Sequence, residues 1–155
     1  MALRVYVAAP LDRAAEVELV YERLLDADLV PVSRWPYDDA SVTAENSDVR
    51  RTEDLFRAHV VLVLARPGPD SVEMLADVER ALMAQTAVVW TGDVAPSRPG
   101  IRVEASIADA ITLLRAMSDT VARPWPRPGP VDRETLWRWV LGERETSQEL
   151  PRRTA

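Results

Sequence analysis

The sequence predicts an α/β domain built on a parallel sheet, and three observations predict it. Short apolar runs occur at Leu3–Ala8, Val60–Leu64 and Ala87–Trp90, each the length of a strand buried on both faces. Segments of helical periodicity separate them. The run Val60-Val61-Leu62-Val63-Leu64 closes in Ala65-Arg66-Pro67-Gly68 and feeds a helical segment carrying Glu73 and Asp77, which is where open α/β sheets place their binding crevice.

Taken in order, Leu3 to Ala8 is the first strand, ended by Pro10. Asp12 is placed to cap a helix whose Val17, Val20, Tyr21 and Leu24 form one apolar stripe. Leu29 to Val32 is a short second strand, and residues 33 to 44 read as an ordered or semi-ordered loop. A polar helix from about Asn46 to Arg57 leads into the third strand. Asp70 with Glu73 forms a start resembling a capping box for a helix running to about Ala84; on its wheel Leu75, Val78 and Leu82 form the inward stripe and Asp77 points away. Ala87 to Trp90 is the fourth strand and Ile101-Arg102-Val103 a weak fifth. Ser106 with Asp109 caps a helix carrying Ile107, Ile111, Leu114 and Met117. Strands alternating with helices imply right-handed βαβ units. Five of them fit a flavodoxin-like doubly wound sheet of order 2-1-3-4-5, with Val5, Val7, Val61, Leu62, Val63 and Val88 at its centre.

The C-terminal part differs in character. Arg123-Pro124-Trp125-Pro126-Arg127-Pro128-Gly129-Pro130 reads as an extended, polyproline-like arm. Asp132 then caps a short helix with Leu136, Trp137, Trp139, Val140 and Leu141, closed by Gly142. Three of the five Trp lie in this stretch, so it is expected to dock, either on the domain's own flank or across a partner copy. Residues 1–118 are thus one α/β domain, and 119–155 a Pro-rich arm, a Trp-containing helix and a polar tail.

Composition narrows the function classes. With 25 acidic against 19 basic residues and a net charge of -6, a nucleic-acid polymer is not the expected partner. The absence of Cys and the single His59 argue against thiol chemistry, a Ser-His-Asp triad and a His- or Cys-ligated metal. No apolar stretch approaches the roughly 20 residues of a membrane span, and Met1 leads directly into a strand. A cytoplasmic protein without metal or cofactor is the expectation.

The C-terminal edge of the sheet gathers Tyr6, Asp12, Arg34, Trp35, Glu73, Asp77 and Thr91. Helix N-termini there suit an anion, yet neither a dinucleotide-type glycine fingerprint nor a Lys-bearing phosphate loop is present. The order Arg4-Val5-Tyr6-Val7-Ala8-Ala9-Pro10-Leu11, then Asp54 to Leu64, then Glu73 to Leu82, then Val88-Val89-Trp90-Thr91-Gly92 resembles the nucleoside 2-deoxyribosyltransferase-like family over roughly residues 3 to 118. That resemblance implies a flavodoxin-like fold, a homo-oligomer and cleavage of N-glycosidic bonds in a nucleoside or nucleotide. It places Asp77 at the position of the family's Glu nucleophile and Tyr6 at a first-strand Tyr seen in some members. Departures are visible: Asp for Glu at 77, His59 for the Asp before the third strand, and Arg51 for a base-positioning Asp. Ala9, Asp28 and Gln85 stand where the family commonly has glycine.

The chemistry needs a carboxylate to stabilise or capture an oxocarbenium-like state, and an acid for the leaving base. Asp77, with Glu73 one turn earlier and Tyr6, forms the candidate catalytic set. Ala9, Pro10, Trp35, Asp48, Asp54, Gly68 and Thr91 are the candidate substrate-binding residues. Several of the residues singled out have a plainer explanation. Capping accounts for Glu73, a solvated face for Asp77, core packing for Tyr6 and Trp90, a structural role for His59, and a solvated helix face or a phosphate contact for Arg50-Arg51. A cleft carboxylate makes Asp77→Asn expected to abolish base release while leaving Tm within a few degrees. Three functions follow: an N-glycosidase or deoxyribosyltransferase-like enzyme, a catalytically disabled module for a nucleotide-like ligand, and a scaffold acting through the Trp-rich tail.

Overall fold

A computed structural model describes residues 2–38, 41–66, 71–92 and 95–121. Within them the chain runs β1 (Arg4–Ala8), α1 (Ala14–Asp26), β2 (Val30–Pro31), α2 (Ala44–Arg57), β3 (Val60–Leu64), α3 (Val72–Met83), β4 (Ala87–Thr91), β5 (Ile101–Glu104) and α4 (Ile107–Val121). Single 3-10 turns at Leu11–Arg13 and Trp35–Tyr37 follow β1 and β2. The strands form one sheet of order β2-β1-β3-β4-β5 with every pairing parallel, the flavodoxin-like arrangement expected from the alternation of elements. Helices cover both faces, as right-handed crossovers require.

Register decides which side chains share a face. Tyr6, Val61, Val88 and Ile101 lie level across the sheet, and Val7, Leu62, Val89 and Arg102 lie level one residue on; successive residues point to opposite faces. Val5, Val7, Val61, Leu62, Val63 and Val88 are all fully buried. Branched side chains stiff at χ1 suit a pleated surface packed on both sides. Trp90 is also fully buried, which makes it core.

The helix starts differ in detail from expectation. Asp12 sits inside the first 3-10 turn and caps nothing; its carboxylate pairs with Arg66 at 2.5 Å. Arg13 occupies the cap position of α1 and reaches across to the carbonyl oxygens of Leu64 (2.8 Å) and Ala65 (3.3 Å). Thr43 caps α2 by accepting from Asn46 N at 3.1 Å, so the helix begins two residues earlier than Asn46. Ser71, not Asp70, caps α3, accepting from Met74 N at 3.1 Å; Asp70 lies outside the described residues. Ser106 accepts from Asp109 N at 3.1 Å, as its spacing predicts.

Two helices close on left-handed residues without glycine. After α1, Asp28 has φ 60°, and Leu29 N donates back to Leu24 O at 2.9 Å. After α3, Gln85 has φ 57°, and Thr86 N donates to Ala81 O at 2.8 Å. This wrap-back is the common helix ending that glycine occupies without strain. Among the described residues no helix is long and apolar enough to cross a membrane. The Pro-rich arm, the helix expected from Asp132 and the three Trp of the tail lie outside the described residues.

Candidate ligand-binding cleft

In sheet order 2-1-3-4-5 the chain reverses direction of travel between β1 and β3, and the crevice outside the strand ends opens there. A cleft of about 590 Å³ occupies this place. Leu11 beyond β1 and Trp35 beyond β2 form part of its wall, Val72, Glu73, Ala76 and Arg80 line it from α3, and Ser47, Asp48 and Arg51 line it from α2. Asp38 and Val42, in the connection between β2 and α2, complete it.

Behind that wall lies a buried charge cluster. Asp77 has no exposed surface and Arg51 is 3% exposed. Arg51 Nη1 donates to Asp77 Oδ2 and forms an ion pair with it. Tyr6, reaching up from the middle of β1, donates its hydroxyl to the same oxygen at 2.7 Å. Arg80, one turn along α3, reaches Oδ1 at 3.3 Å and pairs with Asp48 at 3.3 Å. The Arg51 guanidinium lies 4.9 Å over the Trp35 ring, a cation–π geometry. Trp35 is itself fixed, its Nε1 donating to Val7 O at 2.7 Å. Two segments distant in sequence from α3, β1 and α2, are thereby tied to one carboxylate, and Trp35 is joined to them through Arg51.

Burial pushes the Asp77 carboxyl above its usual range, while Arg51, the Tyr6 hydroxyl and Arg80 pull it back toward the ionised form. Burial, and then the adjacent Asp77 charge, push the Tyr6 phenol well above its usual value, so Tyr6 remains a donor. A second anchor flanks the first: Asp54, almost fully buried, accepts from Arg34 N and Arg34 Nε, both at 2.9 Å. His59 is buried and its Nδ1 accepts from Arg4 N at 2.9 Å, a structural role.

The residues anticipated for the site separate into groups. Tyr6 and Asp77 are brought into contact, and Trp35, Asp48 and Glu73 line the cleft. Ala9 and Pro10 are buried and do not line it. Asp54 is engaged by Arg34, and Thr91 donates to Val63 O at 2.8 Å within the sheet. Gly68 lies outside the described residues. The helical wheel of α3 is corrected: Met74, Asp77, Val78, Ala81 and Leu82 are buried, whereas Leu75 is 37% exposed. The solvated-face explanations for Asp77 and for Arg51 fall with it. Sequence reasoning misses Arg80 altogether and offers Arg51 only as an alternative phosphate contact, not as the partner of Asp77. A signal existed for Arg51: α2 has so few apolar residues that its inward stripe, Arg51, Asp54 and Leu55, has to include charge.

No protein-family model and no curated protein matches the sequence. Among solved structures, a CMP N-glycosidase of Clostridium botulinum, BcmB, is similar at 11% identity and a TM-score of 0.49, over 72% of this chain and 96% of that one. Identity so low carries no residue role across.

Proposed function

We propose that this chain is a small-molecule-binding α/β domain whose cleft takes a nucleoside or nucleotide, with Asp77 serving as the buried anion that holds Arg51 in place. The state of Asp77 carries this reading. A nucleophile must direct a free lone pair at the reacting carbon; Asp77 has no exposed surface, and both of its oxygens accept from cations or from Tyr6. The cleft's position at the crossover point and its volume of about 590 Å³ suit a small molecule. The family resemblance of residues 3 to 118 supports the ligand class. Exposed apolar side chains on α2 and α3, Val49, Phe56, Val72 and Met83, support a homo-oligomer that covers them.

A second reading, hydrolysis of an N-glycosidic bond, is favoured by one observation. Arg80 contacts Oδ1 at only 3.3 Å and its side chain is 33% exposed, so a swing toward Asp48 opens that oxygen to the cleft. Asp77 would then face the sugar carbon and Glu73 the leaving base. Thermal-shift titration across nucleosides and nucleotides, with chromatography of the free base, separates the two. Binding without base release is the expected result. Base release that disappears in Asp77→Asn, with binding retained, would establish the enzyme instead.

A further inference from the structure

We propose that the cleft selects an uncharged nucleoside over its phosphorylated counterpart, an inference that rests on the nucleoside or nucleotide reading above. A phosphate needs guanidinium or ammonium donors free to turn toward it. The chain contains no Lys, and the two guanidiniums lining the cleft are already engaged. Arg51 is held by Asp77 and lies over Trp35. Arg80 is shared between Asp77 and Asp48. Beside them Arg50 is paired with Asp38 at 2.7 Å.

The carboxylates tell the opposite story. Of the carboxylates at the cleft, Asp38, Asp48 and Asp77 are matched by Arg50, Arg80 and Arg51, which leaves Glu73 as the excess negative charge among the described residues. Glu73 is exposed and forms no ion pair among the described residues. It sits in the first turn of α3, where the helix end would otherwise attract an anion. Ser71 already takes the Met74 amide there. A phosphate dianion entering this cleft meets the uncompensated Glu73 carboxylate, or must strip a guanidinium from a carboxylate partner. Sugar hydroxyls and base amino groups are donors, and carboxylates accept from them.

The test uses the full chain in isothermal titration against ribo- and deoxyribonucleosides and the matching 5′-monophosphates, repeated with Glu73→Gln. At least one nucleoside is expected to bind, with its monophosphate weaker by roughly tenfold or more, and Glu73→Gln should narrow that gap by about threefold. A monophosphate that binds as tightly as its nucleoside overturns the charge selection while leaving the ligand class intact. A gap that Glu73→Gln does not change overturns the role of Glu73 and with it the explanation. No binding by any member of either series overturns the reading of the cleft and this inference together.

Discussion

Replacing Arg51 with Met removes the guanidinium and keeps a side chain of similar length, leaving Asp77 as a buried carboxylate with the Tyr6 hydroxyl at 2.7 Å and Arg80 at 3.3 Å. Breaking a buried pair from one side costs about 3–5 kcal/mol. Because two partners remain, the lower end applies, about 3 kcal/mol, which lowers Tm by about 6–12 °C in a chain of this size. The cost depends on pH in a defined direction. Burial already raises the Asp77 pKa, and loss of Arg51 raises it further. A raised carboxyl pKa destabilises the fold fully above the folded value, and the penalty fades as pH falls toward the unfolded one. Urea denaturation followed by Trp fluorescence should therefore show a larger defect in Arg51→Met at pH 7 than at pH 5. In the double variant Arg51→Met with Asp77→Asn the two losses should fall short of additive by about 2 kcal/mol. Asp77→Asn alone should also lower Tm measurably, contrary to the near-neutral effect expected of a solvent-facing catalytic carboxylate. An Arg51→Met protein within about 1 kcal/mol of the parent at pH 7, with additive double-variant losses, would refute the buried-anchor account.

Two further outcomes follow from buried positions outside the cleft. Burial, together with the positive charge of Arg4, pushes His59 down to about 4, so the unfolded chain binds its proton first as pH falls. The stability contributed by neutral His59 is whole above its ordinary value of 6.5 and is lost between there and about 4, by up to about 3 kcal/mol. His59→Gln should flatten the slope of the urea midpoint over that interval, and an unchanged slope would assign it to carboxylates. Gln85 holds φ 57° at the end of α3, so Gln85→Gly should raise stability by about 1 kcal/mol. A calorimetric Tm that falls would mean the Gln85 side chain contributes more than its backbone strain costs.

What the amino-acid order determines here is the sheet. Val60 to Leu64 and Ala87 to Trp90 are apolar without interruption, and only a strand covered on both faces buries such a run; the parallel pairing and the 2-1-3-4-5 order follow from short strands joined through helices. The stripe Val17, Val20, Tyr21 and Leu24 was equally legible, because each residue gains by burial on its own, and all four are buried. The charged cluster behaves differently. Hydrophobic periodicity treats Asp77 and Arg51 as surface residues, since either one alone is costly to bury. Burial becomes favourable only when α2 and α3 lie side by side on the Tyr6 face, so that a guanidinium, a phenol and a carboxylate meet. Partners 26 and 71 positions apart in the chain leave no local pattern. The tertiary structure alone decided that the carboxylate expected to face a substrate lies behind the cleft wall, because the free energy of a buried charge is set by its neighbours and not by its own sequence position.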